Sequence, residues 1–302
     1  MTGKAPWVVD YDRDIDYREY WETRDYENWS EQLALRRLLA PEDTGWLADF
    51  GAGYGRLYPV YHRLCKRAIL VDYSLQQLRE ARTTVGSEVP LVAANLYALP
   101  FRADSIPSAV MFRVLHHLVA YERAFAEISR VVSRDLVVEI PNKRHALSRL
   151  RGIVRRTGSL SDWPPANLAR DAQETFLNYH PAAVLHRLGQ HGWQVVQSLS
   201  ASNLRAPCVK RALPAPILRR LEYRLQLAWA PSMLGPSLVA RLNRAREPVE
   251  PPPSARDLLC CPGCSMILED GAGQLTCTGC GATFPILGDQ FWDLRWPRAT
   301  VI

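Results

Sequence analysis

The chain alternates between two patterns of apolar and polar positions. WLADF (46–50), AILVD (68–72), PLVAAN (90–95), SAVMFRV (108–114) and LVVEI (136–140) are short apolar runs, separated by stretches in which apolar residues recur at helical spacing. Strands without polar alternation are buried on both faces, so the pattern predicts a parallel sheet covered by helices on each side. Helices are expected from Asn28 to about Leu39, over 121–130 and over 181–190, with another starting at Ser74. Glu31 follows Asn28, and Gln77 follows Ser74, at the three-residue spacing of a capping box. WQVVQSLS (193–200) continues the sheet, PSLVARL (236–242) is its expected final strand, and an amphipathic, basic insert occupies 214–229 between them. The expected fold class is α/β, a doubly wound and mostly parallel sheet.

At 302 residues and 47% hydrophobic content, the chain can bury one substantial core and carry a small second module. No apolar run reaches the roughly 18 residues of a membrane span, and the first residues are charged where a secretory signal needs an apolar stretch. The expected location is therefore cytoplasmic. The formal charge of +6 is unevenly spread: residues 1–50 hold twelve acids against six Lys or Arg, whereas 143–156 hold six basic residues and no acid. Residues 205–246 hold nine Lys or Arg against the single acid Glu222. Such stretches either steer an anionic partner (nucleic acid, phosphorylated metabolite or lipid headgroup) or are solvated helix faces.

Five of the seven cysteines fall between 260 and 280. Cys261-Pro-Gly-Cys264, twelve further residues, then Cys277-Thr-Gly-Cys280 is the spacing of two knuckles that place four thiolates around one tetrahedral metal. Zinc is the expected ion; iron suits the geometry too, but nothing in the sequence suggests a redox partner. Cys260 is a bystander. A module this small cannot bury a sufficient core, so the metal is expected to hold it together.

The first apolar run ends in DFGAGYG. In a doubly wound sheet that turn faces the ligand, where glycines let backbone approach it. A nicotinamide fingerprint would need a third glycine where Arg56 stands, which disfavours a dinucleotide. DFGAGYG, VDYS, AANLYALPF and FRVLHHL, in this order and spacing, resemble the successive motifs of class I, Rossmann-like S-adenosylmethionine-dependent methyltransferases. The resemblance is close over about 46–140. It implies that Asp49, Gly51, Gly53 and Gly55 line the methionine half of S-adenosylmethionine, with Ala52, Tyr73 and Leu96 beside the cofactor. It also implies that Asp72 accepts hydrogen bonds from the ribose hydroxyls, that Asn95 lies by the adenine in place of the family's frequent Asp, and that Arg113 faces the pocket. DYREYWETRDYENW resembles the helical lid of such enzymes, with Tyr17, Tyr20, Arg24 and Tyr26 as candidates for stacking or for pairing the methionine carboxylate.

The motifs do not name the acceptor. Arg113-Val114-Leu115-His116-His117 replaces the Asn/Asp-Pro-Pro-aromatic motif of amino-methylating DNA enzymes, and no cysteine stands there for attack on cytosine carbon. His117 and His180 are the candidate general bases. The leading expectation is a small-molecule or lipid-like acceptor, with the insert covering the substrate or touching a membrane surface peripherally. An RNA methyltransferase gripping RNA through the ribbon, and a non-catalytic cofactor-binding scaffold, are the alternatives. The C-terminal segment also resembles the zinc-ribbon activator proteins of methyltransferases, which implies that Phe284, Pro285, Ile286, Phe291 and Trp292 dock on the catalytic domain of the same chain. The expected organisation is a lid over 1–45, a cofactor-binding methyltransferase domain over 46–246 with a basic insert near 205–235, a proline-rich linker over 247–253, and a zinc ribbon over 254–302.

Overall fold

A computed structural model describes residues 17–40, 42–155, 162–167, 176–246, 250 and 252–296. Most of the proline-rich linker and the first sixteen residues lie outside these. In chain order the helices are α1 (Tyr17–Glu22), α2 (Asp25–Leu38), α3 (Tyr58–Tyr61), α4 (Leu75–Val85), α5 (Tyr121–Val131), α6 (Ala146–Arg155), α7 (Pro181–Gln190), α8 (Pro207–Ala212), α9 (Ala215–Ala228) and α10 (Ala255–Leu258). The strands are β1 (Glu42–Phe50), β2 (Cys65–Asp72), β3 (Leu91–Ala93), β4 (Ile106–Met111), β5 (Val132–Pro141), β6 (Ala166–Asn167), β7 (Leu177–Asn178), β8 (Gln194–Ala201), β9 (Ser237–Asn243), β10 (Leu268–Asp270), β11 (Gln274–Cys277), β12 (Thr283–Gly288) and β13 (Phe291–Asp293).

Strands β3-β2-β1-β4-β5 are parallel, β9 runs antiparallel beside β5, and β8 closes that edge antiparallel to β9. The doubly wound, mostly parallel α/β sheet is thus present. PSLVARL is the last strand of this part in sequence, but it lies inside the sheet and leaves β8 at the edge. Residues of one parity on the central strands, such as Leu47, Val110, Val137 and Val239, pack on α2 and α3, and Leu70 and Leu91 pack on α4. Those of the other parity, such as Ala48, Met111, Val138 and Ala240, pack on α5 and α7. No described helix is long and apolar enough to cross a membrane.

Two helix starts contrast. Ser74 caps α4 by accepting from the Gln77 N–H, one half of the predicted capping box; the other half is missing, because the Ser74 N–H donates to Asp72 Oδ1 instead. The second predicted box fails: α2 begins at Asp25, three residues before Asn28, and Glu31 is drawn into the protein by two arginines instead.

The cysteine module continues the sheet. Strand β13 lies parallel to β3, pairing Phe291 with Leu91 and Asp293 with Ala93, and β12, β11 and β10 follow antiparallel. Leu258, Leu259, Phe284, Trp292 and Leu294 join the cluster that contains Ile69, Val71 and Phe101, while Phe291 packs with the α4 cluster. Backbone bonds from Arg102 N–H to Leu258 and from Cys260 N–H to Pro100 fix the other side of the module.

Candidate active site

Strand β1 lies between β2 and β4, so the chain switches direction across it, and a cavity opens at the carboxyl ends of these strands. Asp49, Gly51, Ala52, Gly53, Asp72, Tyr73, Asn95, Leu96, Arg113 and His117 all line it, joined by Tyr17, Trp21, Arg56 and Gln77. Gly51 has φ of +75°, and a side chain there would run into Val114. Gly55 does not border the cavity; it faces Val85 and Leu70.

Asp72 ends β2 with both carboxylate oxygens oriented by backbone: Oδ2 accepts from Gly53 N–H at 2.8 Å and Oδ1 from Ser74 N–H at 2.9 Å. The glycine turn and the start of α4 are thus fastened to the same carboxylate. Asp49 is buried and accepts from the Tyr61 hydroxyl at 2.9 Å. Burial pushes its carboxyl up to about 7, against the opposing pull of Tyr61 and Arg56.

Beside the glycine turn lies a cluster that sequence patterning did not single out. Glu31, fully buried on α2, accepts from Arg56 Nη2 at 2.7 Å and from Arg113 Nε at 2.7 Å. Trp21 of α1 covers it, with the Arg56 guanidinium 3.8 Å and that of Arg113 5.5 Å from its ring centroid. Burial alone would raise Glu31, but Arg113 and Arg56 hold its carboxyl below the usual range. Arg113 adopts a left-handed backbone with φ of +59°, and its N–H donates to buried Glu139 at 3.2 Å. This conformation is costly for a non-glycine residue and is fixed here by two carboxylates. Replacing Glu31 by alanine leaves two largely buried guanidinium groups uncompensated, so urea unfolding is expected to show a loss of about 3–5 kcal/mol. A loss under about 1 kcal/mol would mean that the cluster is open to water in solution.

The histidines differ in place. His117 lines the cavity, and burial pushes its imidazole down to about 3; His116 behind it is also held well below the usual range by burial and by His117. Both rings contact Phe176 at 5.1–5.2 Å. His180 does not border the cavity. It stands at the N-cap of α7, and its Nε2 accepts from Arg144 Nη1 at 2.7 Å. Of the lid candidates, Tyr17 lines the cavity, and Arg24 stacks on Tyr20. Tyr26 points away to buried Glu222 on α9 and to Leu204 N–H. Gln77 is a further cavity residue whose only sequence signal was its capping-box position.

Cys261, Cys264, Cys277 and Cys280 bring four sulfurs within 4.8 Å of one another. Cys261 and Cys280 lie 3.7 Å apart, Cys264 and Cys277 3.3 Å, and Gly279 and Cys280 N–H donate to Cys277 Sγ.

Residues 48–160 match the family model described as a methyltransferase domain. No curated protein matches the chain in sequence. Among solved structures, a Listeria monocytogenes protein described as an S-adenosylmethionine-dependent methyltransferase is similar over 74% of this chain and 100% of its own, with 16% identity and a TM-score of 0.51. One from Thermotoga maritima covers 76% of this chain and 95% of its own at 18% identity and a TM-score of 0.50. A chain from the complex of the Haloferax volcanii Trm112 methyltransferase activator with a protein described as a methyltransferase covers 76% and 95%, at 14% identity and a TM-score of 0.53. At these identities the likeness is one of fold.

Proposed function

We infer that the chain, a class I S-adenosylmethionine-dependent methyltransferase, transfers the methyl group to a small or lipid-like acceptor. The observation that carries this reading is the state of the cavity's cations. Arg56 and Arg113 are both committed to Glu31 and covered by Trp21, and Phe112, Val114 and Leu118 add apolar wall beside them. A polyphosphate chain entering such a cavity would find its positive charge already neutralised, whereas an uncharged or apolar acceptor would lose little water. The outer face of α9 adds support: Ile217, Leu221, Tyr223 and Leu227 are exposed there, interleaved with Arg220 and Arg224, a composition suited to a lipid surface.

The cavity fits the cofactor. Gln77 Nε2 and Oε1 and Asn95 Nδ2 are buried polar atoms with no hydrogen-bond partner among the described residues, and both residues line the cavity. A buried polar atom without a partner costs about 1–3 kcal/mol, so these amides call for a polar ligand. Asp72, whose carboxylate only accepts, would take the ribose hydroxyls; Asn95 would serve the adenine, and the glycine turn would admit the methionine half. Bound there, S-adenosylmethionine supplies an activated methyl on a cationic sulfonium. The protein's part is alignment and the exclusion of water, with α1 and Trp21 as cover. His117, held neutral by burial, does not repel that cation.

For the C-terminal module we propose bound zinc. Four thiolates at about 2.3 Å from a tetrahedral ion stand about 3.8 Å apart, close to the sulfur separations here, and N–H groups aimed at Cys277 Sγ favour the thiolate form.

Incubating the protein with methyl-labelled cofactor and an extract of its source cells tests the acceptor. Label in the organic or small-molecule fraction is expected; label in RNA would overturn the acceptor class, and cofactor binding without any transfer would favour a scaffold.

A further inference from the structure

Helix α9 turns polar residues inward and apolar ones outward. Its inward side carries Leu218, Glu222 and Gln226, spaced by four residues, and the two polar ones are fully buried. Glu222 accepts from the Tyr26 and Ser30 hydroxyls and from the Asn203 side-chain amide, and Gln226 Nε2 donates to the Ser30 carbonyl at 2.9 Å. On the outward side, Ile217, Leu221, Arg224 and Ala228 form one stripe and Arg220, Tyr223 and Leu227 the next, at the three- and four-residue spacings of a helix face. The four large apolar side chains there are 40–54% exposed. A surface helix ordinarily buries its apolar stripe and shows its polar one to water. Apolar surface held in water is unfavourable, and a contiguous patch of it marks an interaction face. The charge on this face has one sign: Arg219, Arg220 and Arg224 are exposed, while Glu222, the one acid of the helix, faces inward. Arg37 of α2 joins them, its guanidinium 4.3 Å from the Tyr223 ring centroid.

We propose that α9 docks on an anionic lipid bilayer, lying in the membrane plane with Ile217, Leu221, Tyr223 and Leu227 among the upper acyl chains and Arg220 and Arg224 at the headgroup phosphates. A basic amphipathic helix rests in the interface in this way, and long arginine stems follow the apolar surface while their charge stays at the headgroups. A nucleic-acid backbone would satisfy the guanidinium groups but leave Ile217, Leu221 and Leu227 without a partner. The face also has none of the Ser, Thr, Asn or Gln donors that assist phosphate contacts. The position suits the reaction. The connection that contains α9 leaves the sheet at Ala201 and returns at Ser237, and these two pair beside Pro141 at the carboxyl end of β5, the edge of the sheet where the cavity opens. Ser30, held by Glu222 and Gln226, precedes Glu31, whose carboxylate fixes Arg56 and Arg113 in the cavity wall. Docking follows from α9 alone; its use, bringing an acceptor resident in the bilayer to the cavity, rests on the acceptor reading above.

The test is flotation of the full chain with phosphatidylcholine vesicles, with and without phosphatidylglycerol. Binding to the vesicles that contain phosphatidylglycerol, and not to the others, is expected. Arg220→Gln combined with Arg224→Gln should weaken it about tenfold to thirtyfold, since each cation near the surface adds to the attraction. Leu221→Gln combined with Leu227→Gln should weaken it about tenfold or more, because apolar insertion is lost. Both pairs change exposed side chains, so far-UV circular dichroism and S-adenosylhomocysteine affinity should match wild type. No binding by the wild type, or binding left unchanged by either pair, would overturn the docking. So would wild-type binding to total transfer RNA, lost with the arginine pair, while vesicles are ignored. A dimer in analytical ultracentrifugation that the leucine pair dissociates would assign the face to a second copy and overturn it too. The labelling experiment separates this proposal from the acceptor reading: label in the organic fraction without vesicle binding keeps that reading and sinks the docking, whereas vesicle binding with label in RNA does the reverse.

Discussion

Replacing Asp72 by alanine is expected to reduce S-adenosylhomocysteine affinity by about a hundredfold to ten-thousandfold. The role proposed for this carboxylate, accepting two charge-assisted hydrogen bonds from ribose hydroxyls at about 1.5–3 kcal/mol each, would account for that range. The same change frees the N–H groups of Gly53 and Ser74, which now converge on this carboxylate, so the glycine turn and the start of α4 lose their common anchor. The core should nevertheless persist, because the apolar clusters on both sheet faces do not include Asp72. Calorimetric titration alongside far-UV circular dichroism checks both points. An affinity within threefold of wild type, with the fold intact, would remove Asp72 from the cofactor site. Asp72→Asn keeps one acceptor oxygen and should fall between the two.

The second large effect concerns the thiolates. Stripping metal with a strong chelator, or substituting Cys261 and Cys264 together by serine, is expected to unfold the module and also to destabilise the catalytic part. Zinc binding contributes about 10–16 kcal/mol in small zinc peptides, more than a module of this size has from its core. Once the module is lost, Leu258, Leu259, Trp292 and Leu294 leave the main cluster. At about 1.5–3 kcal/mol for each buried side chain, the remaining protein should melt on the order of 10 °C lower or more. Hydrogen exchange gives the sharper readout. Leu91 N–H, which donates to the Gln290 carbonyl at 2.8 Å, should pass from protected to fast exchange. Unchanged protection there after chelation would show that the strand pairing stands without metal.

Much of this architecture was legible because it follows from local rules. Parallel strands buried on both faces wrote themselves as unbroken apolar runs, and Ser74 with Gln77 marked the start of α4 correctly. The glycine turn, Asp72 and the four cysteines could be placed because their chemistry fixes their spacing. Glu31 could not be placed, since its partners Arg56 and Arg113 lie 25 and 82 residues away, and a carboxylate three positions after Asn28 reads locally as a cap. Tyr26 was misjudged for the same kind of reason: its partner Glu222 is 196 residues distant. Buried ion pairs and polar networks depend on tertiary neighbours, and periodicity carries no trace of them. His180 looked like any histidine before a proline-started helix. Only the placement of Arg144 shows which of its nitrogens holds the proton.

The pairing of β13 with β3 also bears on behaviour at low concentration. A strand supplied by a separate protein occupies a sheet edge only in proportion to how much of that protein is present. Here Phe291–Asp293 and Leu91–Ala93 belong to one polypeptide, so their encounter is governed by the tether and not by abundance. The edge should remain filled however far the protein is diluted, and each catalytic unit is made with its covering strand in fixed one-to-one supply.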